Sequence, residues 1–210
     1  MPTLLNTTER FADTVRYPVR ANAKETFEKI VAAGQSLLDE AGLEAVNSNA
    51  VVERAGVTAP VFYHYFKHKH ALLYVMASRL IRLQDEAYQK RDPALVRTRK
   101  DLYSMAFGML RDTYDVTHGF VGASALLVSL RAVPELADIR VESNERAAHA
   151  FAGPLKVIHP ELSADEAVER TRLGVEIGYS AVEMLLDTPS FCVDRVLAQT
   201  AQAVVAIYFE

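Results

Sequence analysis

Between Asn22 and Gly42, Phe27, Ile30, Val31, Gly34, Leu37, Leu38 and Ala41 recur every three or four positions, the spacing that lines one face of a helix. Asn22, with Glu25 three residues on, has the form of a capping box, and Gly42 the form of a stop. Val51, Val52 and Ala55 continue the pattern in a second, shorter helix, Asn47–Ala55. Gly56 then stands where a helix end calls for a left-handed residue, a conformation that side chains disfavour. Val57 plugs the corner, Thr58 is placed to cap a third helix, Ala59–Tyr65, and Pro60 falls in its first turn, where a missing N–H costs nothing. Two helices joined by a tight turn containing glycine make a helix-turn-helix, an arrangement suited to setting the second helix in the major groove of DNA.

From Lys69 the pattern stays helical, without the period of two that a strand shows and without an internal repeat. Leu72, Leu73, Met76, Leu80 and Leu83 predict one long helix from His70 to Gln89, ended by Arg91-Asp92-Pro93. Ala94 to Thr117 follows, closed by His118-Gly119, and Phe120 to Ala132 is apolar nearly all round, as a central buried helix would be. Pro134 opens a helix towards Phe151 that Gly153-Pro154 interrupts. Ser163 with Glu166 is a capping box for Ala164–Leu186, and Thr188-Pro189 starts a last helix reaching Tyr208. The expected fold is all-α: an N-terminal three-helix helix-turn-helix domain (22–68) and a larger C-terminal helical domain (69–210). Residues 1–21 read as an arm or short extra helix, with Arg16 and Arg20 within reach of a minor groove or phosphates; a frayed terminus is the plainer alternative.

Composition narrows the classes. Half of the 210 residues are hydrophobic and the longest apolar run, Phe120–Leu130, is too short to span a bilayer. The first twenty residues carry charges and lack a secretory core, and the single cysteine, Cys192, makes neither an internal disulfide nor a cysteine-rich metal site. A cytoplasmic protein is expected. The net charge of −4 is unevenly spread: residues 20–80 hold seven basic and six acidic side chains, residues 81–210 fourteen and nineteen. Phosphate binding depends on local charge, so the acidic excess outside 20–80 does not exclude DNA, although +1 there predicts weak non-specific binding.

The blocks Ile30-Val31-x-Ala33-Gly34-x-x-Leu37-Leu38-x-x-x-Gly42, Ala55-Gly56-Val57-Thr58, Phe62-Tyr63-His64-Tyr65-Phe66 and Lys69-x-x-Leu72-Leu73 agree in order and spacing with one family. Over about residues 23–75 the chain resembles the DNA-binding domain of TetR-family (tetracycline-repressor-like) transcriptional regulators. It departs from that pattern at Asn47 and Ser48, which replace the usual Thr and small apolar residue, and at Lys67-His68-Lys69-His70 before the fourth helix. The resemblance implies a sequence-specific DNA-binding regulator, more often a repressor, bound to a pseudo-palindromic double-stranded operator and released by a small-molecule effector. It also implies a homodimer through the last two helices, about 164–186 and 189–208. There Val168, Val175, Tyr179 and Val182 make one apolar face and Leu173, Ile177, Ala181 and Met184 another, while Gly174, Gly178 and Ala181 leave room for a partner backbone. The alternative is that these faces close a monomeric core. An effector cavity is implied as well, with Phe107, Met109, Tyr114, His118, Phe120, Phe151 and Tyr179 as lining candidates for a largely apolar ligand.

The third helix, about 10 Å long, holds no Arg, Lys, Asn or Gln, the side chains best suited to bidentate base readout. That leaves Ala59, Pro60 and Val61 for thymine methyls and Tyr63 and His64 for polar contacts, with Thr58, the helix N-terminus, Lys67 and Lys69 suited to phosphates and Asn47 and Ser48 as further DNA-contact candidates. Much of the sequence preference should then come from phosphate register and DNA shape. Phe62 and Phe66 are expected in the core. His64, His68 and His70 have no carboxylate or cysteine to complete a tetrahedral set, so no metal is expected; charging of these imidazoles should favour DNA at lower pH. No cofactor is expected, and no nucleophile–base pair or phosphate-binding glycine loop suggests an enzyme. The competing reading is a helical interaction protein with a degenerate DNA-binding domain.

Overall fold

The computed structural model describes residues 11–209, and Tyr88 by its backbone alone. Among the described residues the helices are α1 (Ala21–Ala41), α2 (Ser48–Ala55), α3 (Ala59–Tyr65), α4 (Lys69–Gln89), α5 (Arg99–His118), α6 (Ala123–Ala132), α7 (Pro134–Ile158), α8 (Ala164–Asp187) and α9 (Val193–Phe209). Strands are absent there; one isolated antiparallel bridge joins Val15 and Phe66. The all-α expectation holds. Residues 1–10, which carry half of the proposed arm, lie outside the described residues.

Packing divides the chain into two compact units. One holds the described residues up to Ile81 together with Phe120–Arg140; the other holds Arg82–Gly119 and the chain from Val141 on. These units do not follow the functional division proposed at 68/69.

In the first unit α1 buries the stripe its periodicity announces, from Phe27 to Leu38, although Ala41 is exposed. Its start differs from the expected one. The helix opens at Ala21 after an extended Arg20, so Asn22 lies inside the first turn and caps nothing, and Glu25 pairs with Lys29 at 2.8 Å. Gly34 lets α4 approach: a Cβ there would stand 2.9 Å from Leu72 Cδ2. Phe27 stacks on Phe66 with centroids 4.9 Å apart and meets Tyr65 edge-on at 5.6 Å, and Phe62 and Phe66 are wholly buried. These rings fix α3 against α1. The segment before α1 is not frayed from Phe11 on. Phe11 stacks on Tyr74 at 4.4 Å, Val15 is buried, and the backbone of Arg16 donates to the Tyr65 carbonyl at 2.8 Å.

The run Phe120–Ala132 predicts burial on every side, and this is corrected. Only one face of α6, with Leu126, Leu127 and Leu130, is buried, packed on α1, while Val128 is 62% exposed. Gly122 positions it: φ is 79°, the N–H donates to Asp39 Oδ1 at 3.1 Å, and a Cβ would press on the Gln35 carbonyl.

In the second unit α5, α8 and α9 pack on one another around Leu102, Leu110, Leu185, Leu197 and Val205. Helix α5 begins at Arg99 rather than Ala94. Thr98 and Asp101 form a capping box that the sequence reading passed over, with bonds of 3.1 and 3.0 Å, and Pro93–Leu95 is a separate 3-10 turn. The expected interruption at Gly153-Pro154 is absent. Helix α7 runs through Pro154 to Ile158; the proline ring costs it the bond to the carbonyl of Ala150, an exposed residue. The Ser163–Glu166 box forms in both directions, at 3.2 and 2.8 Å, and the Ser163 backbone N–H, then its hydroxyl, hold the Glu166 carboxyl below the usual carboxylate range. The last helix starts at Val193, not Pro189, since Thr188–Cys192 folds as a turn closed by Phe191 N–H to the Thr188 carbonyl at 3.0 Å. Gly174 and Gly178 are spent inside the chain. A Cβ at Gly174 would stand 3.3 Å from the Tyr208 ring, and one at Gly178 3.0 Å from Leu110 Cδ2, so neither is open to a partner backbone.

Candidate nucleic-acid interface

The turn between α2 and α3 is set by Gly56, whose φ of 64° and ψ of 33° place it in the left-handed region at the end of α2. Its N–H and that of Val57 then satisfy the carbonyls of Glu53 and Val52, which would otherwise be left open at the helix end. Thr58 stands in extended conformation at the cap position of α3, but its hydroxyl makes no capping bond, contrary to expectation; only its carbonyl accepts, from Val61 and Phe62. Pro60 falls in the first turn as the sequence suggests.

Helix α3 is two-sided. Phe62 and Tyr65 anchor it in the core, Val61 is half-buried, and Ala59, Pro60, Tyr63 and His64 point outward, Tyr63 being 54% exposed. Five of the proposed DNA-facing residues, these four and Thr58, thus share one exposed surface. Asn47 is exposed but occupied: its Oδ1 accepts the Ala50 N–H at 3.0 Å, capping α2, while Ser48 is half-buried. Lys67 is exposed and Lys69 half-buried in the first turn of α4. Arg54, on α2, is held by Glu40 through two bonds of 2.7 and 2.8 Å, which neutralises its charge.

The bridge to Phe66 fixes the place of Arg16, which the sequence offers only as part of an arm. The Lys67 N–H donates to the Thr14 carbonyl at 3.0 Å, and with the Arg16–Tyr65 bond this brings exposed Arg16 alongside the end of α3 next to Lys67. A long-range pairing of this kind leaves no trace in the spacing of Arg16; only the buried Val15 beside it hints that the segment docks.

The three histidines do not act alike. His68 Nδ1 accepts the Ala71 N–H at 3.2 Å, capping α4, so its neutral form is the one in use. Burial, then the neighbouring His70 (rings 5.9 Å apart), hold its pKa below the ordinary value; Glu135 opposes this and Lys67 adds to it. The expected gain of positive charge near pH 6.5 therefore does not apply to His68. Among the described residues no group of three or more His, Cys, Asp or Glu side chains is placed to hold a metal, and no helix is long and apolar enough to cross a membrane.

In the second unit, α5, α7, α8 and α9 enclose a cavity of about 80 Å³. Of the seven lining candidates it brings together two, Met109 and Phe151. Phe107 stacks on Tyr103, Tyr114 on His118, and Tyr179 is buried with its hydroxyl 3.4 Å from Gln84 Oε1; Phe120 belongs to the other unit. The cavity's main wall is the stripe Leu102, Met105, Ala106, Met109, Leu110, Thr113 of α5, closed by Gly174, Gly178 and Tyr208. That stripe is legible as helical periodicity, whereas the candidates Phe107, Tyr114 and His118 lie off it on α5.

Residues 30–75 match the family model for bacterial regulatory proteins of the tetR family. The tetracycline repressor protein class C of Escherichia coli is 31% identical over 65 residues, which cover 31% of this chain and 30% of that one, so the match spans about a third of that relative's length. Among solved structures, a tetR-family transcriptional regulator from Streptomyces coelicolor aligns over 88% of this chain and 80% of its own with a TM-score of 0.64 at 18% identity. A TetR family transcriptional regulator from Thermus thermophilus aligns over 84% and 97% with a TM-score of 0.61 at 14% identity. At these identities the likeness beyond residues 30–75 is one of fold.

Proposed function

Through residues 30–75 this chain belongs to the TetR family of bacterial regulatory proteins, and on that premise we propose that it is a cytoplasmic, homodimeric transcriptional repressor. Its operator is a pseudo-palindromic duplex, and a small, largely apolar ligand in the helical domain releases it. The observation that supports this most directly is the two-sided α3: Phe62 and Tyr65 lock it to the core while Ala59, Pro60, Tyr63 and His64 form an outward surface. Ala59 and Pro60 suit thymine methyls, Tyr63 and His64 suit polar edges or phosphates, and Arg16 and Lys67 flank the same end with positive charge. With no Arg, Lys, Asn or Gln on α3, recognition rests largely on phosphate register and duplex shape. Release follows by linkage: a ligand that prefers the conformation with displaced reading heads lowers DNA affinity by the factor that DNA lowers its own.

The same lack of base-reading side chains favours a second reading, a helical interaction protein whose DNA-binding domain is a scaffold. Titrating the purified protein against duplexes from its own upstream region, across a salt series with competitor DNA, separates the two. Competitor-resistant binding with a steep salt slope is the expected result. Weak binding that does not discriminate sequences would leave the interaction protein.

A further inference from the structure

The cavity between α5, α7, α8 and α9 has a chemistry of its own. Its walls are aliphatic, sulfur and aromatic, and among its lining residues none is charged. The two polar groups are Thr113 and Tyr208. Thr113 donates its proton to the Met109 carbonyl at 2.8 Å, so towards the cavity it has only lone pairs to offer. Tyr208 is 7% exposed and lines the cavity, and its hydroxyl is not among the sealed, unpartnered polar atoms, so it is open to a probe. That hydroxyl lies 3.8 Å from where a Cβ on Gly174 would stand, at the wall where the missing side chain keeps space open. A phenol O–H at an apolar wall gains a hydrogen bond from a ligand that brings an acceptor.

We propose that this cavity takes a small, uncharged molecule with an apolar body and one hydrogen-bond acceptor, such as a ketone or ester carbonyl, which receives the Tyr208 hydroxyl. The proposal rests on the effector-binding reading of the helical domain and names the chemical class. Burial pushes the Tyr208 pKa upward, which keeps the hydroxyl protonated and donating. An anionic ligand head would find no cation inside. In the neighbouring groove, which shares Ala147 and Phe151 with the cavity, the charge of Arg91 is paired with Asp112 at 2.6 Å and that of Arg146 with Asp85 at 3.1 Å, although Arg91 Nε is buried without a partner. Met105 and Met109 give the pocket walls that adapt to a chain of a few carbons.

Four six-carbon probes of similar bulk test this on the full-length protein: methyl butyl ketone, hexane, hexanoate and hexylamine. Binding is read from the methyl resonances of protein labelled at its methionine methyls, with Met105 and Met109 as reporters. The ketone is expected to bind most tightly. Tyr208→Phe, which keeps the ring and the packing, should weaken the ketone about 2- to 10-fold, the worth of one buried hydrogen bond, while leaving hexane unchanged. Preference for hexanoate or hexylamine, an unaltered ketone affinity in Tyr208→Phe, or no probe reaching these methyls at millimolar concentration would overturn the proposal. The readout involves no DNA: a ketone that binds as expected yet leaves duplex affinity unchanged would sink the release mechanism and spare the ligand class, and a preferred hexanoate that releases DNA would do the reverse.

Discussion

Two single positions decide how well the reading head is held. Gly56 sits at φ 64° with nothing within 4 Å of where a Cβ would project, so space is no obstacle and backbone strain alone resists a side chain. Gly56→Ala should therefore cost about 1 kcal/mol in urea denaturation and Gly56→Asn less, since asparagine tolerates the left-handed region; equal stability of all three proteins would show that the turn relaxes into another conformation. His68 adds a pH dependence. Its folded pKa is lowered by burial first and by His70 next, while the unfolded imidazole protonates near its ordinary value of about 6.5. Below that value the unfolded chain binds the proton more readily, so the contribution of neutral His68 is full above about pH 6.5 and is lost as pH falls through the lowered folded pKa. The midpoint of urea unfolding should drop on acidification, and the drop should be shallower in His68→Asn, which keeps an acceptor for the Ala71 N–H but does not titrate. Parallel pH profiles for the two proteins would remove His68 as the cause.

Helix α2 joins stability to recognition through its cap. Asn47 is a candidate DNA contact, yet its Oδ1 already accepts the Ala50 N–H. Asn47→Ala should cost about 1 kcal/mol of stability, whereas Asn47→Ser, which caps equally well, should leave both stability and duplex affinity in place. A loss of affinity in the Ser variant at unchanged stability would return Asn47 to the interface. The elements also show what local pattern carries. The α1 stripe, the Gly56 turn, the two faces of α3 and the Ser163–Glu166 box are all set by residues within a turn of one another, and all are legible in sequence. Errors arose where distant parts decide. Helix α7 passes through Pro154, α6 is one-sided because α1 offers it one face, and Arg16 is placed beside α3 only through a bridge across fifty residues of chain. The glycines of α8 look alike in sequence whether they admit a second subunit or, as here, Tyr208 and Leu110 of the same chain.

At the scale of the whole molecule the open matter is what covers α8. With Gly174 and Gly178 committed inward, the surface left to a second copy is the stripe Leu173, Ile177 and Met184, which recurs at four and seven and so lies along one line of the helix. Leu173 is 51% exposed, Met184 41% and Phe191, in the following turn, 46%. Apolar side chains in a row are what a subunit interface presents, and a twofold axis along this stripe sets each copy's Leu173 and Met184 against the other's. Sedimentation at micromolar concentration is expected to give twice the mass of the chain. Leu173→Glu with Met184→Glu places charge on residues that the isolated chain already exposes, so the fold should keep its helicity and its denaturation midpoint measured far below the dissociation constant. The same pair should bring the mass down to one chain and flatten binding to a two-half-site duplex towards that of a single half-site, because the two reading heads no longer bind as one unit. A variant that stays dimeric would move the interface off this stripe. A variant that is monomeric yet binds the full duplex as tightly as the unmodified protein would show that pairing of the reading heads is not what gives operator affinity.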